Sequence, residues 1–306
     1  MSAKNLTLAI VFSFFVLVGI LVYQYAKFND GKVHIVFCDV GQGDAIFLRT
    51  PKGADILVDG GPNESVLACL SGHMPFWDRD LELVILTHPH ADHLNGLISV
   101  VKRYKIGSFA TENLKNNTTA FKALMDELKN QNIKRQYLYA GDRFVFKDGV
   151  SLNIVGPTRQ FLKYSSPTGM IGETSEFASI ESLFRYRDFS ILLTGDSQAA
   201  ELKEALQSHV PDGTWQSRVW LKKMGSKNIS VLQVSHHGSK TGLDFEILDS
   251  LKPELAVISV GENNRYGHPA KEIIKILSDK DIRILRTDEV GEVEIVTDGT
   301  GWGVKN

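Results

Sequence analysis

Residues 87–96 read THPHADHLNG, a stretch that holds three histidines and one aspartate within six positions, His88 to His93. His88 and His90 are two residues apart, so in an extended turn both imidazoles can point to one place. Asp92 and His93 then begin the apolar helical pattern LNGLISVVKRY. Imidazole and carboxylate groups bind zinc, and they also suit manganese or iron. The stretch therefore predicts a metal-binding turn that leads into a helix; the alternative is a histidine-rich turn that only caps this helix.

The composition of the 306-residue chain is that of an ordinary globular protein, with 43% hydrophobic and 23% charged residues, which allows one or two domains. Its 34 basic and 36 acidic residues nearly balance, so a global electrostatic attraction to nucleic acid is not implied, and any anion site must be local. The two cysteines, Cys38 and Cys69, are far apart in apolar surroundings. They predict two buried thiols, not a disulfide framework or a cysteine zinc site.

The N-terminal run Leu6–Tyr23, LTLAIVFSFFVLVGILVY, contains no charged residue. Its eighteen residues, at about 1.5 Å each, nearly cross a hydrocarbon core of about 30 Å. A cleaved signal peptide is the alternative, but its apolar region is shorter and ends in a small-x-small site, which VYQYAKF does not offer. We therefore expect an uncleaved membrane anchor over residues 1–30. The flanking charges specify its orientation only weakly, with the N-terminus inside and the rest of the chain on the extracytoplasmic side.

Behind the anchor, apolar strand patterns alternate with helical patterns from about Lys32 to Trp302. This alternation, without a linker or repeat, predicts one α/β domain within residues 31–306. Several of the predicted strands end in Asp, His and Gly: LVDGG, ILTHPHADH, LLTGDS and QVSHHGS. Loops at strand ends carry chemistry in layered α/β folds because rigid strands hold them in place. We expect these ends to converge on one site.

The motif HPHADH matches the HxHxDH pattern of the metallo-β-lactamase superfamily, and LVDGG, LLTGDS and VSHHGS follow in the family's order. More narrowly, the chain resembles the hydrolase domain of ComEC, the competence protein of DNA uptake. The stretches that carry this resemblance are DVGQGDA, VSHHGSKTG, VISVGENNRYGHP and TDEVGEVEIVTDG, and it extends over roughly Val33 to Gly299. The resemblance implies an α/β fold of the αββα sandwich type, preceded here by one N-terminal transmembrane helix.

The resemblance also implies a site with two adjacent divalent metal ions, zinc or manganese. Each role is carried onto the matching residue: His88 and His90 on one ion, Asp92, His93 and His236 on the other, Asp196 between them, Asp59 orienting ligands or water, His237 as a polar contact, and His268 near the reacting group. His236 is preferred over His237 as the ligand because it comes first after the strand, and the reverse assignment stays open.

The chain departs from the superfamily pattern at one point. Most members have a further histidine before the LLTGD strand, whereas this chain has none between His93 and His209 and reads TSEFAS over Thr174–Ser179. The first metal ion then lacks one nitrogen ligand, and water, substrate or Glu176 would take its place. β-Lactam or glyoxalase-type hydrolysis becomes less expected, and manganese gains over zinc because fewer nitrogen ligands favour it.

The motif DVGQGDA lacks the third glycine and the helix of a dinucleotide loop, so it predicts a tight turn between two strands. Asp39, Gln42 and Asp44 could support the metal ligands from behind, or serve only as turn formers.

A basic segment, Gly213–Leu243, contains no acidic residue and interleaves two tryptophans with Arg and Lys. Such a segment suits single-stranded nucleic acid, because cations hold phosphates and aromatic rings stack on bases. Lys222, Lys223 and Lys240 are the predicted substrate contacts. The alternative is a solvated loop whose tryptophans dock on the core.

These patterns, with the dinuclear site that the resemblance implies, predict a membrane-anchored, metal-dependent hydrolase. Hydrolysis of a phosphodiester, by a hydroxide held between two cations, is the expected reaction because the cations also stabilise charge on the attacked group. DNA or another nucleic acid is the first substrate considered. A small phosphoester, such as a phosphocholine or nucleotide ester, is the second. A degenerate, non-catalytic binding domain is the third, and only the missing histidine supports it. Protein partners stay open, including whether the chain works with a separate DNA channel.

Overall fold

A computed structural model describes residues 3–173, 178–207 and 228–305. The helices in these ranges are α1 Ala3–Phe28, α2 Ser65–His73, α3 Ala91–Arg103, α4 Thr119–Asn130, α5 Arg159–Ser165, α6 Ala199–Gln207, α7 Phe245–Leu251, α8 Lys271–Ser278 and α9 Thr287–Val290. The strands are β1 Val33–Phe37, β2 Ile46–Arg49, β3 Asp55–Val58, β4 Asp80–Leu81, β5 Leu83–Leu86, β6 Lys105–Ile106, β7 Phe109–Thr111, β8 Arg135–Tyr137, β9 Arg143–Val145, β10 Ser151–Gly156, β11 Glu181–Tyr186, β12 Phe189–Leu193, β13 Val231–Gln233, β14 Leu255–Ile258, β15 Arg283–Arg286, β16 Val293–Thr297 and β17 Trp302–Lys305.

Two large sheets form the centre of the domain. The first has the strand order β17-β16-β1-β2-β3-β5-β7-β8, and the second has the order β15-β14-β13-β12-β11-β10-β9. Within the first sheet β3, β5, β7 and β8 are parallel, and within the second β12 to β15 are parallel. The carboxyl ends of each parallel set therefore lie at a single edge of its sheet, where loops can meet.

Three apolar cores show how the layers stack. One core joins the inner faces of the two sheets, with Phe37 and Ile56 from the first and Phe184 and Ile191 from the second. A second core packs α2, α3 and α4 on the outer face of the first sheet. A third packs α6, α7 and α8 on the outer face of the second sheet. This helix–sheet–sheet–helix arrangement confirms the αββα sandwich that the motifs implied.

Helix α1 extends the predicted apolar run by three residues at its start and five at its end, and none of its side chains is buried. It is long and apolar enough to cross a membrane. Its last turn contacts the domain: Arg49 Nε donates to the carbonyl of Phe28 at 3.2 Å, and Lys27 Nζ donates to the carbonyl of Gly72 at 3.3 Å. A buried guanidinium at this position satisfies a helix carbonyl that has no partner within the helix.

Cys38 and Cys69 form a disulfide, so the prediction of two free thiols is wrong. Both side chains are buried, as expected. Cys38 follows β1 and Cys69 lies in α2, which packs on the outer face of the same sheet. This packing brings the two Cα atoms to 5.8 Å, within the range that a disulfide requires. The sequence separation of 31 residues gave no sign of this contact.

Loss of the disulfide should destabilise the domain. We expect the variant Cys38→Ala/Cys69→Ala to lower the free energy of unfolding by about 3 kcal/mol, because the bond restricts the unfolded chain over a loop of this length. Urea unfolding of the full chain in detergent measures the change, with and without reductant. Reductant should destabilise the wild type and leave the variant unchanged. Two titratable thiols in the denatured, unreduced protein would contradict the assignment.

Candidate metal centre

The predicted site residues lie where strands end. The elements that hold them are as follows: Asp59 follows β3, His88 and His90 follow β5, Asp92 and His93 open α3, Asp196 follows β12, His236 and His237 follow β13, and His268 lies in the loop after β14. Both sheets therefore contribute loops from their carboxyl edges, and the structure brings these residues together.

The carboxylate of Asp196 lies at the middle of the cluster and is 2% exposed. Its Oδ1 atom is 3.2 Å from Nε2 of His93 and 3.5 Å from Nε2 of His237. Its Oδ2 atom is 3.6 Å from Nε2 of His88. Two groups of donor atoms share this residue, each within 4.8 Å: one consists of His88, His90 and Asp196, and the other of Asp44, His93, Asp196 and His237.

The donor atoms fit bound cations. Nε2 of His93, Nε2 of His237 and Oδ1 of Asp196 are buried and make no hydrogen bond among the described residues. A buried polar atom without a partner costs about 1–3 kcal/mol, so three that converge on one point need an explanation. Imidazole nitrogen and carboxylate oxygen are the ligands of zinc and manganese, and a divalent cation would satisfy all three.

Hydrogen bonds at the far side of each ring direct the free nitrogen inwards. Asp59 Oδ2 accepts from His93 Nδ1 at 2.8 Å and from Thr87 Oγ1 at 2.7 Å, while Asp59 Oδ1 accepts from the Thr87 amide at 2.8 Å. His237 Nδ1 donates to the carbonyl of Ser259 at 2.9 Å. A ring that donates from Nδ1 keeps Nε2 as a lone-pair donor, which is how ligand histidines are usually held.

The buried carboxylates make the cluster attractive to positive charge. Burial disfavours the charged form of His93, but the carboxylates of Asp196 and Asp59 outweigh burial and raise its pKa well above the usual value. Burial likewise opposes charge on His237, yet Asp196 and Asp44 raise its pKa to about 9. A proton or a metal ion can neutralise these carboxylates, and metal binding therefore displaces protons.

A family model described as the metallo-beta-lactamase superfamily matches residues 38–261. The chain belongs to the metallo-beta-lactamase superfamily. This confirms the resemblance carried by HPHADH and the motifs after it. Among solved structures, the metallo hydrolase Igni18 from Ignicoccus hospitalis has 14% sequence identity and a TM-score of 0.52, covering 85% of this chain and 98% of that one. At this identity the likeness concerns the fold alone.

Relatives with competence-related names cover most of this chain. ComE operon protein 3 of Bacillus subtilis is 24% identical over 289 residues, which are 87% of this chain and 33% of that protein. Competence protein ComA of Neisseria gonorrhoeae is 24% identical over 297 residues, 94% of this chain and 35% of that protein. The chain therefore spans about a third of the length of these relatives. Exodeoxyribonuclease WalJ of Streptococcus pneumoniae is 26% identical over 82 residues, 27% of this chain and 30% of that protein.

The resemblance implied that one histidine of the VSHHGS pair is a metal ligand, and the two rings occupy different positions in the structure. His237, not the preferred His236, lies beside Asp92 and His93: its Nε2 atom is 3.4 Å from Asp92 Oδ2. The side chain of His237 is 2% exposed, and that of His236 is 29% exposed. Nε2 of His236 is 3.7 Å from Oδ2 of Asp196, on the side of His88.

The three polar residues of the DVGQGDA turn occupy different positions. Asp44 is buried behind His93 and His237, where Gln233 Nε2 donates to its Oδ2 atom at 2.8 Å. Gln42 lines the cavity above the metal centre, and its Oε1 atom accepts from the amide of Gly261 at 3.1 Å. Asp39 is exposed and accepts from the Gly41 amide at 3.4 Å, so the structure places it in the turn-forming role and not in the centre.

The predicted substrate lysines are not brought to the centre in the described residues. Lys222 and Lys223, with most of the basic segment, lie outside the described residues, as does Glu176. Lys240 is exposed and pairs with Glu272 at 2.7 Å, and it does not line the cavity above the candidate metal centre.

Sequence reasoning missed residues that line this cavity of about 390 Å³, among them Asn116, Thr118 and Tyr266. Asn116 Nδ2 donates to the carbonyl of Pro89 at 2.7 Å and so holds the HPHADH turn from a distant loop. No local pattern marks Asn116. Tyr266 could have been found, because it precedes His268 in the stretch NNRYGHP that carried the family resemblance.

Buried glutamates lie behind the centre. Burial raises the pKa of Glu181 to about 8 and raises the pKa of Glu112 and Glu201 well above the usual value. Glu201 accepts from the Ser179 amide at 3.0 Å, and Ser179 Oγ accepts from the Asp196 amide at 3.2 Å. The Glu201 carboxyl group therefore supports the Asp196 loop through Ser179.

Asp59 should control metal affinity without binding the metal. We expect Asp59→Asn to weaken cation binding by about 10–100-fold, because the carboxylate accepts from His93 Nδ1 and Thr87 Oγ1 on one oxygen and from the Thr87 amide on the other, whereas asparagine has only one acceptor oxygen. Equilibrium dialysis against buffered Zn²⁺ or Mn²⁺ measures the affinity. Asp39→Asn, an exposed aspartate of the same domain, is the control. Equal affinities in the two variants would refute the orienting role.

Glu181 should make stability depend on pH. Its folded pKa of about 8 lies above the ordinary 4.5, so the folded state holds more protons than the unfolded state between those values. The free energy of unfolding must then fall as pH rises through that range. Glu181→Gln should flatten this profile and be more stable than wild type at about pH 8.5. Urea unfolding at several pH values tests this, with the exposed Glu254→Gln as control; parallel wild-type and E181Q profiles would contradict it.

Proposed function

We propose that the chain is a membrane-anchored, dinuclear metal-dependent phosphodiesterase that acts on nucleic acid, with single-stranded DNA as the first candidate. The observation that carries the proposal is the pair of donor groups that share the buried Asp196 carboxylate at the floor of an accessible cavity. Two cations bound there would supply Lewis-acid stabilisation of an attacked phosphate and an activated water near neutral pH. Phosphodiesters gain more from such stabilisation than neutral esters because they carry a negative charge.

The residues of the chain prepare this centre before any substrate arrives. Asp59 and Ser259 hold the rings of His93 and His237 with Nε2 directed inwards. Asp196 and Asp92 are kept ionised, because the adjacent histidines lower the pKa of both carboxyl groups even though burial opposes this. Ionised carboxylates and fixed imidazoles need no reorganisation when charge develops on a substrate.

His268 is placed to act on the substrate. It lines the cavity above Asp196, and its ring centroid is 5.7 Å from that of His236. Burial and the neighbouring histidines lower its pKa, so the ring is neutral near pH 7. A neutral imidazole can donate a proton to, or accept one from, a group bound in the cavity. We assign His268 to contact with the reacting phosphate or its leaving oxygen.

The rim of the cavity favours a nucleic acid. Tyr266 is 56% exposed and stacks beside His268, with ring centroids 5.8 Å apart. The Arg265 guanidinium lies 5.2 Å from the Tyr266 ring, and its Nη2 atom donates to the Tyr266 hydroxyl at 3.1 Å. An exposed aromatic ring beside a cation offers one surface for a base and another for a phosphate. The names of the relatives, two linked to competence and one an exodeoxyribonuclease, support the same substrate class.

The disulfide and the apolar helix support an extracytoplasmic location for the domain. Disulfides persist in oxidising compartments and are rare in the cytosol. Cys38 and Cys69 are bonded within the domain, and α1 can cross a membrane directly before it. We therefore place the N-terminus of α1 inside and the metal centre outside.

A small phosphoester is the second candidate substrate, and the cavity volume favours it. About 390 Å³ lies within the range of ordinary small-molecule sites. A phosphocholine or nucleotide ester of this size could be bound without any contact at the rim. Competition between single-stranded DNA and these esters in one assay separates the two candidates.

Asp196→Ala should abolish turnover and lower metal occupancy, because it removes the carboxylate shared by both donor groups. We expect loss of at least about 10²-fold in single-stranded DNA cleavage with Mn²⁺ or Zn²⁺, since several kcal/mol of charge stabilisation depend on the cations. The measurement pairs a gel-based cleavage assay with elemental analysis of the full chain. The exposed Asp188→Ala is the control. Unchanged cleavage in D196A would exclude the dinuclear mechanism, and hydrolysis of esters but not DNA would favour the second candidate.

A further inference from the structure

His236 and His237 adopt a backbone conformation that few side chains accept. Their φ values are 52° and 55°, so two consecutive non-glycine residues are left-handed in the turn after β13. Such residues cost of order 1–3 kcal/mol each and persist where the surrounding structure requires them. The conformation sends the two rings in different directions, with centroids 6.1 Å apart and planes at 73°.

The two rings face different oxygen atoms of Asp196. Nε2 of His237 lies 3.5 Å from Oδ1, on the side of His93 and Asp92. Nε2 of His236 lies 3.7 Å from Oδ2, the atom that is 3.6 Å from Nε2 of His88. Adjacent ligands of a tetrahedral zinc ion are about 3.3 Å apart, as bonds of 2.0–2.1 Å require. The distances from Oδ2 to Nε2 of His88 and to Nε2 of His236 are thus close to the distance between two donor atoms on one zinc ion.

The donor groups are unequal if His236 is left out. Asp92, His93, His237 and Asp196 would offer four side chains to a cation at Oδ1. Asp44, which also belongs to the donor group on this side, lies 3.9 Å from the Nδ1 atoms of both rings and is counted as support behind them. The cation at Oδ2 has His88, His90 and Asp196, which lie within 4.8 Å of one another. The chain has no histidine between His93 and His209 that could supply a further nitrogen.

We propose that His236 is the third nitrogen ligand of the cation held by His88 and His90, so that the two histidines of VSHHGS serve different metal ions. This rests on the dinuclear centre of the proposed function. His236 stands outside the closer 4.8 Å group, so its ring would have to move inwards to share a cation with His88 and His90.

The assignment changes the expected metal preference. With His236, the Oδ2 side has three nitrogen ligands and one oxygen, while the Oδ1 side has two nitrogens and two oxygens. Nitrogen-rich sites suit zinc and oxygen-rich sites suit manganese. The Oδ2 position should therefore prefer zinc, contrary to the expectation drawn from the missing histidine alone.

Metal occupancy of histidine variants tests the assignment without reference to catalysis. The full chain in detergent is dialysed against buffered free Zn²⁺ and analysed for metal per chain. We expect His236→Ala to lower the affinity for one of the two cations by at least about tenfold. Removing a group that only orients a metal ligand already lowers affinity by about 10–100-fold, and removing a ligand should cost no less. His236→Gln serves as a second variant, and His73→Ala, a histidine paired with Glu292 away from the centre, is the control.

Double variants identify which cation is lost. His88→Ala/His236→Ala should bind one cation as tightly as His88→Ala alone, because both changes affect the same position. His88→Ala/His237→Ala should lose both cations. Full Zn²⁺ occupancy in H236A at limiting free metal, with only the KM for substrate raised, would overturn the proposal and make His236 a substrate contact. A wild type that binds two cations without cleaving DNA would refute the proposed function and leave this assignment intact.

Discussion

The buried carboxylate of Asp196 is the constraint on which the centre depends. A charged group at 2% exposure is costly unless it is paired, and here the pairing comes from imidazoles on loops of both sheets. Gly195, just before it, has φ of 49°, and a Cβ atom there would lie 2.3 Å from Ser179 Oγ and 3.0 Å from Thr87 Oγ1. Only glycine lets the Asp196 loop of the second sheet approach the Thr87 loop of the first so closely.

On the side of the first sheet, close packing of α3 holds His93 next to the Asp196 carboxylate. A Cβ atom on Gly96 would lie 1.8 Å from the carbonyl of Gly60, so glycine allows the first turns of α3 to lie against the loop after β3. The Gly60 amide donates to the carbonyl of His93 at 2.7 Å, while Asp59 binds the His93 ring. Backbone and side chain of His93 are therefore fixed by adjacent residues of one loop, which is why its Nε2 atom reaches Asp196 without freedom to turn away.

The sequence revealed the parts of this centre that are local. THPHADH, LVDGG, LLTGDS and VSHHGS each mark a strand end, and their order predicted the αββα fold. The parts it could not reveal depend on contacts between distant segments. Asp39 and Asp44 belong to one short turn, yet only Asp44 is buried, because Gln233 of the other sheet binds it. His236 and His237 face different oxygen atoms of Asp196 because of their left-handed backbone angles, which the sequence does not reveal. The disulfide depends on how α2 packs on the first sheet.

Helix α1 meets the domain at the edge opposite the metal centre. Arg49, which binds the carbonyl of Phe28, also pairs with Asp55 at the start of β3, and Asp59 follows the end of that strand. Asp59 is four positions after Asp55 in the sequence, which corresponds to about 13 Å at ~3.3 Å per residue of strand. Helix α2 runs in the opposite direction to β3, from the metal edge back to the Gly72 carbonyl that Lys27 binds. For the membrane-anchored phosphodiesterase proposed above, a long phosphodiester in solution would reach the metal edge, whereas a lipid phosphoester would have to extend past the whole first sheet. Under that proposal, the separation favours a soluble polymer over a membrane lipid.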